Sequence, residues 1–106
     1  MLCVLTHRRL RPGGYDAFRA AWRPDEWWPT FRHGYHLRSA DDPDEVVSFA
    51  FYDATMEEFE AIRDDPRWLE AEERRLQRLA PLQVSMRIGG VYEVAEEITG
   101  SPSPSP

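Results

Sequence analysis

An apolar run, Val46 to Tyr52, lies between two segments with helical periodicity, and extended runs at Leu2–Thr6 and Met86–Val94 open and close the same unit. That order, β-α-β-β-α-β, predicts an α+β ferredoxin-like sandwich: an antiparallel sheet with its helices on one side. The other face of such a sheet carries half of the strand side chains. Here many of those are apolar in either register, so a lone subunit would expose a large sticky surface. Joining two copies sheet to sheet, as a dimeric α+β barrel or a sandwich, would bury it. A homodimer is therefore expected; a monomer whose aromatic loop covers the sheet is the alternative.

A chain of 106 residues holds one domain, assigned here to residues 1–99, with a Ser-Pro tail over 100–106 expected to be disordered or polyproline-like. The net charge of −6 and the lack of a basic stripe argue against nucleic acid. No apolar run is long enough to cross a membrane, and the N-terminus lacks a secretion-signal pattern. A cytoplasmic location is the default expectation. Cys3 has no second cysteine to pair with, and its place in an apolar strand suits a small core residue better than a nucleophile.

The local signals agree with the element order. Tyr15, Phe18 and Trp22 recur at helical spacing, with Ala17 and Ala21 widening the stripe, and Pro24 ends or kinks that helix. Tyr35, Leu37 and Ser39 alternate as a second strand. The Asp41-Asp42-Pro43-Asp44 turn joins it to Val46–Tyr52 as a hairpin. Thr55 and Glu58 have capping-box spacing ahead of Phe59 and Ile62. Asp65-Pro66 breaks that helix and starts another, lined by Trp68, Leu69, Leu76 and Leu79. A final strand over Ser85–Val94 is interrupted by Gly89-Gly90, which reads as a bulge or bend. Between helix and second strand, Asp25–Phe31 is too aromatic for a solvent loop. It either packs over the core edge or forms a lid or pocket wall.

No nucleotide or metal motif is present. His33 and His36, even with Asp41 or Asp44, lack a clear further ligand, so no metal and no cofactor are expected. Proton transfer is the chemistry left to the histidines, whose reference pKa near 6.5 suits both giving and taking a proton. His36 is the first candidate, with His33 and His7 behind it. Arg38 follows His36 in the two-residue period and could hold a phenolate, enolate or carboxylate; Arg87 has the same ambiguity. Tyr52 and Tyr92 could hydrogen-bond to an aromatic ketone or hydroxyl. Trp22, Trp27, Trp28, Phe31 and Trp68 could wall a flat substrate, although Trp22 and Trp68 also fit helix stripes facing a core.

The chain resembles the antibiotic biosynthesis monooxygenase-type proteins of the dimeric α+β barrel superfamily. The likeness runs over about residues 2 to 96. It rests on Leu2-Cys3-Val4, on Tyr15-Asp16-Ala17-Phe18, on Phe49-Ala50-Phe51-Tyr52 followed by Thr55-Met56-Glu57-Glu58-Phe59, and on Pro66-Arg67-Trp68. Where many such proteins carry a His just ahead of the Pro66 position, this chain has Ala61-Ile62-Arg63-Asp64-Asp65. The resemblance implies a small homodimer with a cavity between sheet and helices in each subunit. It also implies oxidation of phenol- or quinol-like aromatic polyketides by molecular oxygen without metal or flavin. Related barrels cyclise, isomerise or degrade haem, or have no assigned activity. Three functions are thus in view: a cofactor-independent monooxygenase, a cofactor-free cyclase or isomerase, and a non-catalytic dimer binding a small hydrophobic or aromatic molecule.

Overall fold

The structure is a computed structural model and describes residues 1–100; the Ser-Pro residues 101–106 lie outside the described part. In chain order the elements are β1 (Leu2–Leu10), α1 (Tyr15–Trp22), β2 (Phe31–Arg38), β3 (Glu45–Tyr52), α2 (Met56–Arg63), α3 (Pro66–Leu79) and β4 (Gln83–Glu93). The strands form one antiparallel sheet in the order β2-β3-β1-β4. This is the ferredoxin-like arrangement, with the second helix divided in two. The division follows from Pro66, which has no N–H to continue α2 but fits the first turn of α3. Asp65 caps the new helix by accepting from the Arg67 N–H at 2.9 Å. Thr55 and Glu58 form the reciprocal capping box that their spacing predicts.

Cross-strand partners share a face, so the register sorts the side chains. One face carries Leu2, Val4, Thr6, Arg8 and Leu10 of β1, which lie opposite Tyr52, Ala50, Ser48 and Val46 of β3 as far as the ladder runs. His36 and Arg38 of β2 join this face opposite Ser48 and Val46. Its core has two clusters. Leu10, Phe18, Val46 and Leu79 form one; Leu2, Ala54 and Phe59 form the other, with Trp28, Tyr52, Met56 and Val91 packed against it. The other face carries Cys3, Leu5 and His7 against Phe51, Phe49 and Val47, with His33, Tyr35 and Leu37 alongside. Among the described residues no helix covers that second face, and Tyr35 and Leu37 are exposed on it.

β2 departs from the sequence reading, and β4 follows it. β2 starts at Phe31, well before Tyr35, because β3 continues to Tyr52 and supplies a partner as far as Phe31. The segment Arg32-His33-Gly34 has no apolar alternation of its own to reveal this. The ladder also shifts register between Phe31 and His33, so these two residues lie on opposite faces despite their spacing of two. In β4 the register slips where the glycine pair predicts a bulge, with Gly90 opposite Leu5 and Ile88 opposite Thr6. Glycine is required there: Gly90 has φ of +115°, and a Cβ on Gly89 would fall 2.1 Å from Leu5 Cδ2.

Candidate functional site

α1 and the segment after it stand over the β2 end of the sheet, where β2 is the edge strand. Between them lies an open cavity of about 730 Å³. Tyr15, Trp22, Trp27 and Phe31 supply its aromatic walls, and His36 and Gly34 its floor on β2. Trp27 stacks on Phe31 with centroids 4.6 Å apart. A Cβ on Gly34 would sit 2.7 Å from the Phe49 carbonyl oxygen, so glycine permits the close approach of backbone that this floor requires.

The loop that carries Trp27 is held by α3. Arg75 donates to the Trp22 carbonyl at 3.2 Å, and Arg78 to the Arg23 carbonyl at 2.9 Å. Arg74 and Arg78 pair with Asp25, and Arg67 pairs with Glu26. Helical spacing on α3 therefore sets the position of a cavity wall distant in sequence.

His36 is the ionisable group with the most built surroundings. Its ring meets Trp22 edge-on at 4.7 Å and Phe18 at 5.0 Å, with Tyr15 at 6.4 Å. Its Nδ1 lies 2.8 Å from Ser48 Oγ on the neighbouring strand. In the tautomer that donates Nδ1–H to Ser48, Nε2 keeps its lone pair for accepting a proton. Burial pushes the His36 pKa below its ordinary value, and the nearby Arg8 and Arg75 guanidinium groups push the same way. His36 is accordingly neutral near pH 7, the form a general base needs.

Behind this ring lies a charge that composition hides. Arg8 is only 2% exposed. It donates through Nε to Gln83 at 3.1 Å and through Nη1 to Thr6 Oγ1 at 2.9 Å, both neutral acceptors. Its guanidinium is 5.5 Å from the Phe18 ring centre. Burial, and then Arg75, pull its pKa down to about 10, against an opposing pull from Glu72. Glu72 is already engaged by both Nε and Nη2 of Arg75. The buried Arg8 and the half-buried Arg75 thus share one carboxylate, and the interior beside His36 is net positive.

The remaining predicted site residues lie elsewhere. Arg38 shares His36's face but sits outside the cavity. It lies 4.5 Å from the Tyr15 ring centre, donates to the Pro43 carbonyl at 3.3 Å, and borders a smaller groove by the β2–β3 turn. The cause is the hairpin, which ends there and turns Arg38 toward its own turn. His33 stacks on Phe51 at 4.8 Å on the uncovered face. His7, on that face too, contacts Glu45 at 2.8 Å. Tyr52 and Trp28 pack with Phe59 in the second core cluster, and Trp68, 7% exposed, lies beside Trp28. Burial raises the Tyr52 pKa to about 12. Tyr92 is 55% exposed and donates its hydroxyl to the Gly89 carbonyl at 2.7 Å. Arg87 lies opposite His7, away from the cavity.

Of the predicted residues, His36, Trp22, Trp27 and Phe31 come together. Tyr15, Ser48, Arg19 and Arg23 carry no site signal in the sequence, yet they belong to the cavity or to His36. Arg19 and Arg23 are four apart in and just beyond α1, so their shared side was readable; which side faced a cavity was not. Among the described residues no group of three or more His, Cys, Asp or Glu side chains converges as a metal site. No helix among them is long and apolar enough to cross a membrane.

No family model and no curated protein sequence matches this chain. Solved structures do. A Nitrosomonas europaea protein classed as an antibiotic biosynthesis monooxygenase superposes with a TM-score of 0.64 at 19% identity, covering 91% of this chain and all of the other. SnoaB, a cofactor-independent oxygenase from Streptomyces nogalater, gives 0.66 at 14% identity, covering 93% and 97%. A Mycobacterium tuberculosis protein gives 0.58 at 20% identity, covering 92% and 98%. The chain carries the fold of the antibiotic biosynthesis monooxygenase-type proteins, over 91% to 94% of its length. At these identities the likeness is one of fold.

Proposed function

We propose that this chain, folded as those oxygenases are, is a cofactor-independent monooxygenase that oxidises a phenol- or quinol-like aromatic substrate with molecular oxygen. The observation that carries the reading is His36, kept neutral at the floor of an aromatic cavity and oriented by Ser48. A flat substrate rests against Trp22, Trp27 and Phe31, with its hydroxyl at His36 Nε2. His36 takes the phenolic proton, and the positive interior from Arg8 and Arg75 favours the anion that results.

The electron-rich anion passes one electron to oxygen. Radical and superoxide recombine with a new C–O bond at a ring carbon, giving a peroxide. His36 returns its proton to the distal peroxide oxygen. The O–O bond then breaks as the C–H proton leaves, giving a quinone and water. One oxygen atom enters the product and the other leaves as water, so the substrate supplies all the electrons and no external reductant is needed.

The proposed assembly is a homodimer. The uncovered sheet face, with Phe49, Phe51, Tyr35 and Leu37, is the surface that a second copy would bury to close a barrel. The same cavity and base would serve a cyclase, which consumes no oxygen. An oxygen electrode with an anthrone such as dithranol, whose anthrol tautomer is a phenol with a C–H on the ring carbon opposite the hydroxyl, corrected for autoxidation, tests the reading. Enzyme-dependent uptake that disappears in His36→Ala is expected. A wild-type rate equal to the background overturns the oxygenase assignment for this substrate class, and ring closure of a polyketide chain under anaerobic conditions would favour the cyclase.

A further inference from the structure

The charges around the cavity are one-sided. Its lining includes Arg19 and Arg23 and no acidic residue, in a chain whose net charge is −6. The neighbouring arginines of α3 take up the local carboxylates: Arg67 holds Glu26, Arg74 and Arg78 hold Asp25, and Arg75 holds Glu72. Arg19 and Arg23 make no ion pair among the described residues. Arg23 instead places its guanidinium 6.0 Å from the ring centre of Trp27, itself a cavity wall. Arg19 in the last turn of α1 does favour the helix dipole, but that role needs neither a second arginine four residues on nor a cavity between them.

We propose that the cavity selects aromatic acids. The ring system lies along Trp22, Trp27 and Phe31, and a carboxylate on its periphery is gripped by the paired guanidinium groups of Arg19 and Arg23 at the mouth. Planar guanidinium donors match a carboxylate in shape as well as charge. A volume of about 730 Å³ suits a ring system of several fused rings. Two positive zones then act at two ends of one ligand: the exposed pair at the mouth on the carboxylate, and the buried Arg8 with the half-buried Arg75 near His36 on the reacting oxygen. The inference rests on reading this cavity as the substrate site, but it does not depend on any oxygen chemistry.

Isothermal titration calorimetry with 2-naphthoate and its neutral isostere 2-naphthamide tests it on the full chain. Naphthoate is expected to bind roughly tenfold more tightly at low salt, equivalent to about 1.4 kcal/mol. The advantage should shrink at high ionic strength, because the arginines are exposed. In the double variant Arg19→Gln, Arg23→Gln the two affinities should come within about twofold, with the helical circular dichroism unchanged. Equal affinities in the wild type, a preference that survives the double substitution, or no binding of either probe would overturn the proposal. The two readings fail separately: an aromatic acid that binds with this preference but consumes no oxygen removes the oxygenase, whereas turnover in a charge-blind cavity removes the aromatic-acid selection.

Discussion

At the scale of single residues, His36 is where fold and chemistry meet. Its depressed pKa predicts an imidazole NMR titration midpoint below the reference of about 6.5. Replacing Arg8 with Met removes a neighbouring positive charge, so the midpoint should move up toward that reference, and the acid limb of any pH–rate profile should move with it. A midpoint unmoved in Arg8→Met would detach Arg8 from the site. Linkage gives a second consequence. Between the lowered folded pKa and about 6.5 the unfolded chain binds more protons at His36 than the folded one does, so its contribution makes stability fall as pH drops through that window. His36→Gln should flatten the slope there in urea titrations taken at several pH values. Loss of a positioned base should also lower turnover by about 100-fold or more. His36 was readable in the sequence as a candidate base because histidine is a rare residue type with distinctive chemistry. Arg8 was not. It has the parity of Leu2, Val4, Thr6 and Leu10, but thirteen arginines and nineteen acids invite a reading of solvated surface charge. Only the position of α3, with Arg75 and Glu72, shows that this one is enclosed.

At the scale of elements, the hairpin and the α3–loop clamp shape the cavity. Gly34→Ala would press a methyl group into the Phe49 carbonyl, which is backbone and cannot swing aside. It should destabilise the chain by about 1–3 kcal/mol and distort the floor; a variant with unchanged urea midpoint and ligand affinity would contradict the geometry. Arg74→Gln with Arg78→Gln should loosen the Trp27 wall with little effect on the fold, because the Asp25 pairs are exposed. Weaker binding of a cavity ligand, with thermal stability nearly unchanged, is the expected signature. Thr55→Ala, in contrast, should cost about 1 kcal/mol through the lost cap and leave ligand affinity alone. Elements with local signals were legible: the capping box, the Pro66 break and the glycine bulge each depend on residues close in sequence. The start of β2 was not, since it depends on how far β3 extends to meet it. Nor were the separate fates of Trp27 and Trp28, adjacent residues that go to the cavity and to the core. Their directions are set by different partners: the neighbouring Phe31 and Arg23 for Trp27, and Phe59 and Trp68, far along the chain, for Trp28.

At the scale of the whole molecule, the uncovered sheet face predicts self-association. Sedimentation should report twice the 12.4 kDa chain mass, and Phe49→Arg should give monomers; a wild-type monomer at micromolar concentration would leave that face to another partner. The helix-covered side has a different consequence. Its two apolar clusters are separated by a polar row across the sheet, His36–Ser48–Thr6, with Arg8 beside it. Water admitted along such a row finds groups ready to receive it, so the row is a natural line of parting. The α2 half, anchored by Phe59, can then open while the Phe18 half stays shut. Hydrogen exchange would register two tiers of protection within one small sheet, with the amides of α2 exchanging as a group before those of α1.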